Sequence, residues 1–291
     1  MRRLGDRRDA HKVRKVDGVH NLLIDLKPRR CDADVYINQK VDVTNLIKFI
    51  KKHKGDSKTN LTYFHAFSMA VAKIFYERPL LNRFICNRTT YERDKVVLAF
   101  VAKIAFSDES EEVMINIDTE GSDTIYDLRD RISKKVDHIR NSKEQVKENT
   151  NSVVDTIGRL PKIFRVPIVG CYKWLDKKGL LPLSMMEDNI YYSSAILSNL
   201  GNLDIGSIYH NNTNFGTSSM IITIGKIHKE VLVDDKGKQY VADIVDFGIN
   251  CDERIADGYY FAKAVNLLSY ILQNPEILEE PLDKKVVMKD K

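Results

Sequence analysis

The sequence predicts a single α/β domain in which a mixed or largely antiparallel β-sheet carries packed helices. Three observations lead there. Runs of β-branched and aromatic residues are interspersed with segments whose apolar residues recur at helical spacing, in an order that is mixed rather than strictly alternating. The 291 residues are 43% hydrophobic and 30% charged, enough apolar material for a sizeable core with a soluble surface. No internal repeat or low-complexity linker divides the body.

The elements follow in chain order. Val35–Val41 reads as a strand, rich in β-branched and aromatic residues. A helix near 43–53 aligns Val43, Leu46, Ile47 and Ile50 on one face. A second, over 61–76, aligns Phe64, Phe67, Val71, Ile74 and Phe75, with Pro79 just beyond. Residues 95–106 read as a strand buried on both faces and 112–118 as its shorter partner, joined as a hairpin across Ser107–Glu111. Residues 123–148 form a charged helix with Ile125, Leu128, Ile132 and Ile139 facing inward. In 159–185, Pro161, Pro167 and Pro182 interrupt an apolar stretch that holds the only tryptophan, Trp174. Such a stretch suits a membrane surface or a pocket for an acyl chain, but Arg165, Lys173, Lys177 and Lys178 equally suit an ordinary amphipathic helix, which is the preferred reading. Strands near 190–198, 218–227 and 239–250 follow. A final helix from about 258 to 273 aligns Phe261, Ala264, Val265, Leu268, Ile271 and Leu272 before Asn274-Pro275 ends it.

Composition excludes several classes. No apolar run approaches the roughly 18 residues needed to span a bilayer, and the first residues lack the apolar stretch of a secretion signal, so a cytoplasmic location is expected. Cys31, Cys86, Cys171 and Cys251 are far apart, which suggests neither a zinc knuckle nor a disulfide framework. His11, His20, His53, His65, His138 and His228 share no ligand spacing, so no metal is assigned. The net charge is +5, and residues 1–30 alone hold ten Lys/Arg against four Asp. Acids are interleaved with those cations and no aromatic residue is present for base stacking. A salt-bridged, subunit-clasping arm is therefore preferred to a nucleic-acid contact.

The informative stretch is Asp252-Glu253-Arg254-Ile255-Ala256-Asp257-Gly258, where a strand gives way to the last helix. Asp257 is well suited to cap that helix, because a short carboxylate accepts hydrogen bonds from the unpaired N–H groups of the first turn. With the apolar helix ending in Asn274-Pro275-Glu276, this stretch resembles the D-H-R-x-x-D-G signature of dihydrolipoyl acyltransferases, the core components of 2-oxo acid dehydrogenase complexes. Their relatives, the chloramphenicol acetyltransferases, carry the shorter H-x-x-x-D-G form. Ile196-Leu197-Ser198-Asn199-Leu200-Gly201 resembles the I-S-N-L-G stretch of the same family, at a similar distance upstream. The likeness extends over most of the chain, including the Asp42-Val43-Thr44 strand-to-helix junction and the 61–76 helix.

The resemblance implies a chloramphenicol-acetyltransferase-like sandwich of mixed sheet and helices, assembled as a homotrimer with active sites between subunits. It implies a general base at the position of Glu253, an oxyanion-donating hydroxyl at Ser198, a catalytic aspartate at Asp257 that orients the site, commonly through an ion pair with arginine, and structural roles for Gly258, Arg254 and Asn199. The family's base is a histidine, and Glu253 stands in its place. A reference glutamate is about 2 pKa units less basic than a histidine, or about 3 kcal/mol of proton-transfer driving force. Burial in an apolar channel offsets that deficit, whereas pairing with Arg254 or another cation makes the glutamate inert. His210 lies 12 residues beyond Ser198, in the segment that lines the acyl-donor channel of the resembled family. It offers a second route, a His–Glu pair formed across a subunit boundary.

The division expected is a basic arm at 1–30, an acyltransferase-like catalytic domain at 31–280 and a charged tail at 281–291. About 30 residues ahead of the first strand leave no room for a lipoyl domain with its lysine, or for a subunit-binding domain, so a stand-alone protein is expected. The function expected is acyl transfer between coenzyme A, as a thioester co-substrate rather than a permanently bound cofactor, and a small thiol, hydroxyl or amine. The alternative is a non-catalytic scaffold or ligand-binding relative.

Overall fold

The computed structural model describes residues 3–54, 60–103, 112–141, 156–187 and 189–288. The main sheet runs in the order β2 (Asp34–Asp42), β10 (Gln239–Asp252), β8 (Met220–Ile224), β7 (Ala195–Asn199), β5 (Val97–Lys103) and β6 (Glu112–Asp118). A seventh strand, β9 (His228–Val233), lies end to end with β8 along β10, since β8 pairs with 247–251 and β9 with 239–244. The pairs β2–β10, β10–β8 and β5–β6 are antiparallel, whereas β7 is parallel to both β5 and β8. The sheet is therefore mixed, as expected.

One face of the sheet carries the helices. Helices α2 (Thr44–Lys52), α3 (Tyr63–Glu77), α4 (Ile125–Asn141) and α6 (Gly258–Gln273) cover Val41, Leu98, Phe100, Leu197, Ile222, Phe247 and Ile249 in one contiguous core. Helix α3 is buried along nearly its whole length, and Thr62 and His65 close its N-terminus as a reciprocal capping box. The opposite face holds a smaller apolar cluster of Ala99, Ile190, Ile196 and Ile221. Strand β5 thus has core on both sides, as its continuous apolar run implied. The hairpin turn expected at Ser107–Glu111, and the far end of the 123–148 helix, lie outside the described residues.

Several local features differ from expectation. Residues 190–192 form a 3-10 turn, and the strand begins only at Ala195, because Ser193 and Ser194 spend their hydroxyls on Ile190 O and on Asn82. Residues 3–30 pack against the body: β1 (Ala10–Lys12) joins a three-stranded sheet with β4 (Thr89–Arg93) and β3 (Arg83–Cys86). Arg7 there is buried, pairs with Asp9 and Asp176, and stacks on Phe84 and Tyr91. Helix α1 (Gly18–Leu26) follows, capped by Asp17.

The largest difference is α5 (Lys162–Lys177), which does not pack as an ordinary amphipathic helix. Only Asp176 is buried; Tyr172 and Leu175 make partial contact with Phe215, Leu181, Met186 and Tyr192, and every residue from Lys162 to Cys171 is exposed. Ile163, Phe164, Val166 and Trp174 face away from the protein. No helix among the described residues is long and apolar enough to cross a membrane.

Candidate functional site

Strand register places the candidate residues relative to one another. Ser198 is opposite Thr223 on β8, Thr223 is opposite Gly248 on β10, and Gly248 is opposite Asn38 on β2. Side chains alternate between faces, so this row shares the non-helical face with Ile196 and Ile221, as do Asn250 and Asp252 further along β10. The segment 205–216 lies over that face. Thr223 Oγ1 receives a 3.2 Å bond from Ile208 N and donates to Ile208 O, Asn250 Nδ2 donates to His210 O, and Tyr36 Oη donates to Asn211 Oδ1 at 2.5 Å. Tyr209 meets the Tyr36 ring edge to face at 5.4 Å. Asn212 then bonds both oxygens of Asp34, at 2.8 and 3.1 Å. Burial pushes the Asp34 carboxyl up from its usual range, and the Asn212 bonds oppose that shift. Gly248 is required here by close approach: an added Cβ would stand 2.3 Å from Ile208 O.

At the end of β10 the chain turns into α6. Asp257 caps the helix as expected, accepting from Tyr260 N at 2.7 Å, and Gly258 stands in open space. Arg254 is buried and forms a fork onto Asp252, Nε to Oδ1 and a terminal nitrogen to Oδ2, each at 2.7 Å. Its remaining terminal nitrogen donates to Lys27 O at 2.8 Å, and Arg30 approaches Asp252 at 3.8 Å from the other side. Arg254 is therefore committed to Asp252 rather than to Glu253 or Asp257.

Glu253 is half-buried, and its backbone N–H donates to Ala33 O at 2.9 Å. Its carboxylate is bonded to the ammonium of Lys27, in the segment between α1 and β2. Of the two sequence alternatives for this side chain, pairing with a cation is the one seen in the single chain, and the cation is Lys27. Ser198 is half-buried at the end of β7, and its hydroxyl has no hydrogen-bond partner among the described residues. Asn199 ends β7 opposite Ile224, and its Oδ1 accepts from Gly201 N at 3.2 Å. The His210 ring is exposed.

These residues do not converge within one chain. Glu253 lies five residues beyond Gly248 along β10 and two strands across from Ser198, roughly 20 Å away at ordinary strand spacings. Two surface hollows, one lined by His11, Lys12, Val13, Glu92 and Arg93 and the other by residues of α2 and the end of α6, border neither side chain. Among the described residues no group of three His, Cys, Asp or Glu side chains could hold a metal ion. Sequence reasoning missed Lys27 and the Asp34, Asn212 and Asn250 cluster. The contacts that define them join residues 40 to 226 positions apart, which no local spacing announces.

Comparison with known proteins supports the resemblance drawn from the two motifs. Residues 185–279 match the family model described as the catalytic domain of 2-oxoacid dehydrogenases acyltransferase. Among solved structures, the dihydrolipoamide acetyltransferase of Azotobacter vinelandii superposes with a TM-score of 0.60 at 14% identity, covering 92% of this chain and 94% of that one. A truncated catalytic core of the 2-oxoacid dehydrogenase multienzyme complex from Thermoplasma acidophilum gives 0.54 at 14% identity, covering 91% and 99%. A chloramphenicol acetyltransferase gives 0.59 at 11% identity, covering 90% and 99%. The fold is thus the chloramphenicol-acetyltransferase-like sandwich. No curated protein sequence matches the chain significantly.

Proposed function

We propose that this chain is an acyltransferase working with coenzyme A thioesters, and that its active site is completed between two copies of the chain. The observation that carries the reading is the placement of Ser198 and Glu253. Each sits at a strand end with its polar group at least partly accessible, and the two are roughly 20 Å apart in one chain. A working pair therefore requires a neighbouring subunit, which favours a homotrimer of the kind the resemblance implies. In the solved Azotobacter vinelandii enzyme a serine, a histidine and an asparagine have been investigated for their role in the catalytic mechanism; the histidine lies 52 positions after the serine and the asparagine 4 positions after the histidine. Here Glu253 lies 55 positions after Ser198 and Asp257 lies 4 after Glu253.

In the reaction, the Glu253 carboxylate takes the proton of the attacking thiol, hydroxyl or amine. The nucleophile then bonds to the thioester carbonyl carbon, and the Ser198 hydroxyl donates to the resulting oxyanion. Collapse breaks the carbon–sulfur bond, and coenzyme A leaves with the proton returned from Glu253. His210 assists from the facing copy. Asp257, Arg254, Gly258 and Asn199 hold the two strand ends in shape. A cytoplasmic setting, a small-molecule acceptor, coenzyme A as diffusible co-substrate and the division into 1–30, 31–280 and 281–291 belong to the same reading.

The test follows thiol release from acetyl-coenzyme A with small acceptors. Glu253→Gln should abolish turnover, and Glu253→His should retain or raise it. One observation favours a second reading: the Lys27–Glu253 pair occupies the carboxylate, as expected of a non-catalytic scaffold. Absence of turnover in every form, together with absence of coenzyme A binding, would leave that alternative standing.

A further inference from the structure

Helix α5 turns an apolar, cationic surface outward. Ile163, Pro167, Cys171 and Trp174 follow one another at helical spacing down a single stripe, with Phe164 beside it. Ile163 is 75% exposed, Phe164 60% and Trp174 55%. The stripe continues past the helix into Leu180, Leu183 and Met185, all exposed. Among the described residues the helix packs on the body along its other side, through Tyr172, Leu175 and Asp176. Monomeric proteins seldom leave so continuous an apolar face in water.

The charges identify what covers it. Lys162, Lys173 and Lys177 share one edge of the stripe, and none has an ion-pair partner among the described residues. Asp176 is the only acid on the helix, and it is buried and neutralised by Arg7. The outward surface is thus apolar with an uncompensated cationic border, bearing Trp and Phe, a composition that partitions into the interface of an acidic bilayer. A two-fold pairing of this face with its own copy would set lysine against lysine. The segment also precedes the 185–279 stretch that matches the acyltransferase family model, so that match does not account for it.

We propose that α5 is an interfacial anchor, lying in the surface of a lipid bilayer rich in anionic headgroups with Ile163, Phe164 and Trp174 among the acyl chains. Trp174 is the only tryptophan, so its fluorescence reports directly on this helix. The full chain is mixed with vesicles of phosphatidylcholine containing phosphatidylglycerol, and separately with phosphatidylcholine alone. The anionic vesicles should shift Trp174 emission to the blue and carry the protein on flotation; the neutral ones should do so weakly, and salt should reverse the difference. The double change Lys173→Glu and Lys177→Glu should weaken partitioning about thirtyfold or more, and Phe164→Ser should weaken it while leaving circular dichroism unchanged. Equal binding to both vesicle types, no binding, or binding indifferent to these changes overturns the proposal. Trp174 emission already blue-shifted without lipid, and reddened as Phe164→Asp dissociates an oligomer, would instead assign the face to contact between copies and also overturns it.

Discussion

Lys27 and Glu253, 226 positions apart in the chain, are joined by a hydrogen-bonded ion pair at the mouth of α6. Lys27 also lends its carbonyl to the buried Arg254 beside it. One residue of the N-terminal segment thus braces the motif turn with its backbone and neutralises the candidate base with its side chain. A carboxylate so engaged is occupied by its partner, and its release becomes a measurable quantity.

Lys27→Met removes the ammonium and leaves the carbonyl in place. Both side chains are part-exposed, at 40% and 29%, so stability should fall by no more than about 1 kcal/mol. The rate of acyl transfer from acetyl-coenzyme A should rise, because Glu253 no longer has a competing partner. Unchanged turnover in steady-state assays would separate the pair from the chemistry.

Asp252 and Arg254 form the tighter pair, fully buried and bidentate. Arg254→Met leaves the Asp252 carboxylate with the backbone N–H of residue 254 and the 3.8 Å approach of Arg30 but without the guanidinium fork, and should cost about 3–5 kcal/mol in urea unfolding. Arg254→Lys should recover only part of this, since an ammonium cannot reproduce the fork.

The pH dependence of stability should carry the signature of His65. Burial lowers its pKa from 6.5 to about 4, so the native state holds it neutral while the unfolded chain protonates it. Its contribution is complete above about pH 6.5 and is lost as the pH falls toward 4, by up to about 3 kcal/mol. His65→Gln keeps a capping-box side chain and should flatten the stability profile over that window.

Gly248→Ala places a methyl group against Ile208 O and Thr223 Oγ1, the two groups that pin the 205–216 segment to the sheet. A loss of about 1–3 kcal/mol is expected. The Tyr209–Tyr36 contact should loosen with it, visible as chemical-shift changes at both rings.

A site shared between copies predicts complementation. Ser198→Ala and Glu253→Gln should each be inactive alone, yet partial turnover should return when the two are unfolded and reassembled together. A single-chain site gives no recovery.

Much of the fold was legible in residue order. The 3.6-residue periodicity of 61–76 and 258–273 became α3 and α6, and the β-branched runs became β2, β5, β8 and β10. Asp257 capped its helix as its side chain and position implied. Strands β1, β3, β4 and β9 were not read, because they are short and carry mixed polar residues, so pairing rather than propensity makes them strands.

What the amino-acid order determined alone, then, was the architecture and the identity of the two motif turns, since local periodicity, caps and turn residues act over a few positions. Tertiary structure decided which partner each charge took and which way α5 faced. Lys27 reaches Glu253, and Arg254 turns to Asp252, only because the N-terminal segment packs beside the end of β10. The apolar stripe of α5 looks the same in sequence as one bound for the core, and its outward orientation arises from Arg7 drawing Asp176, on the opposite side of that helix, into the protein.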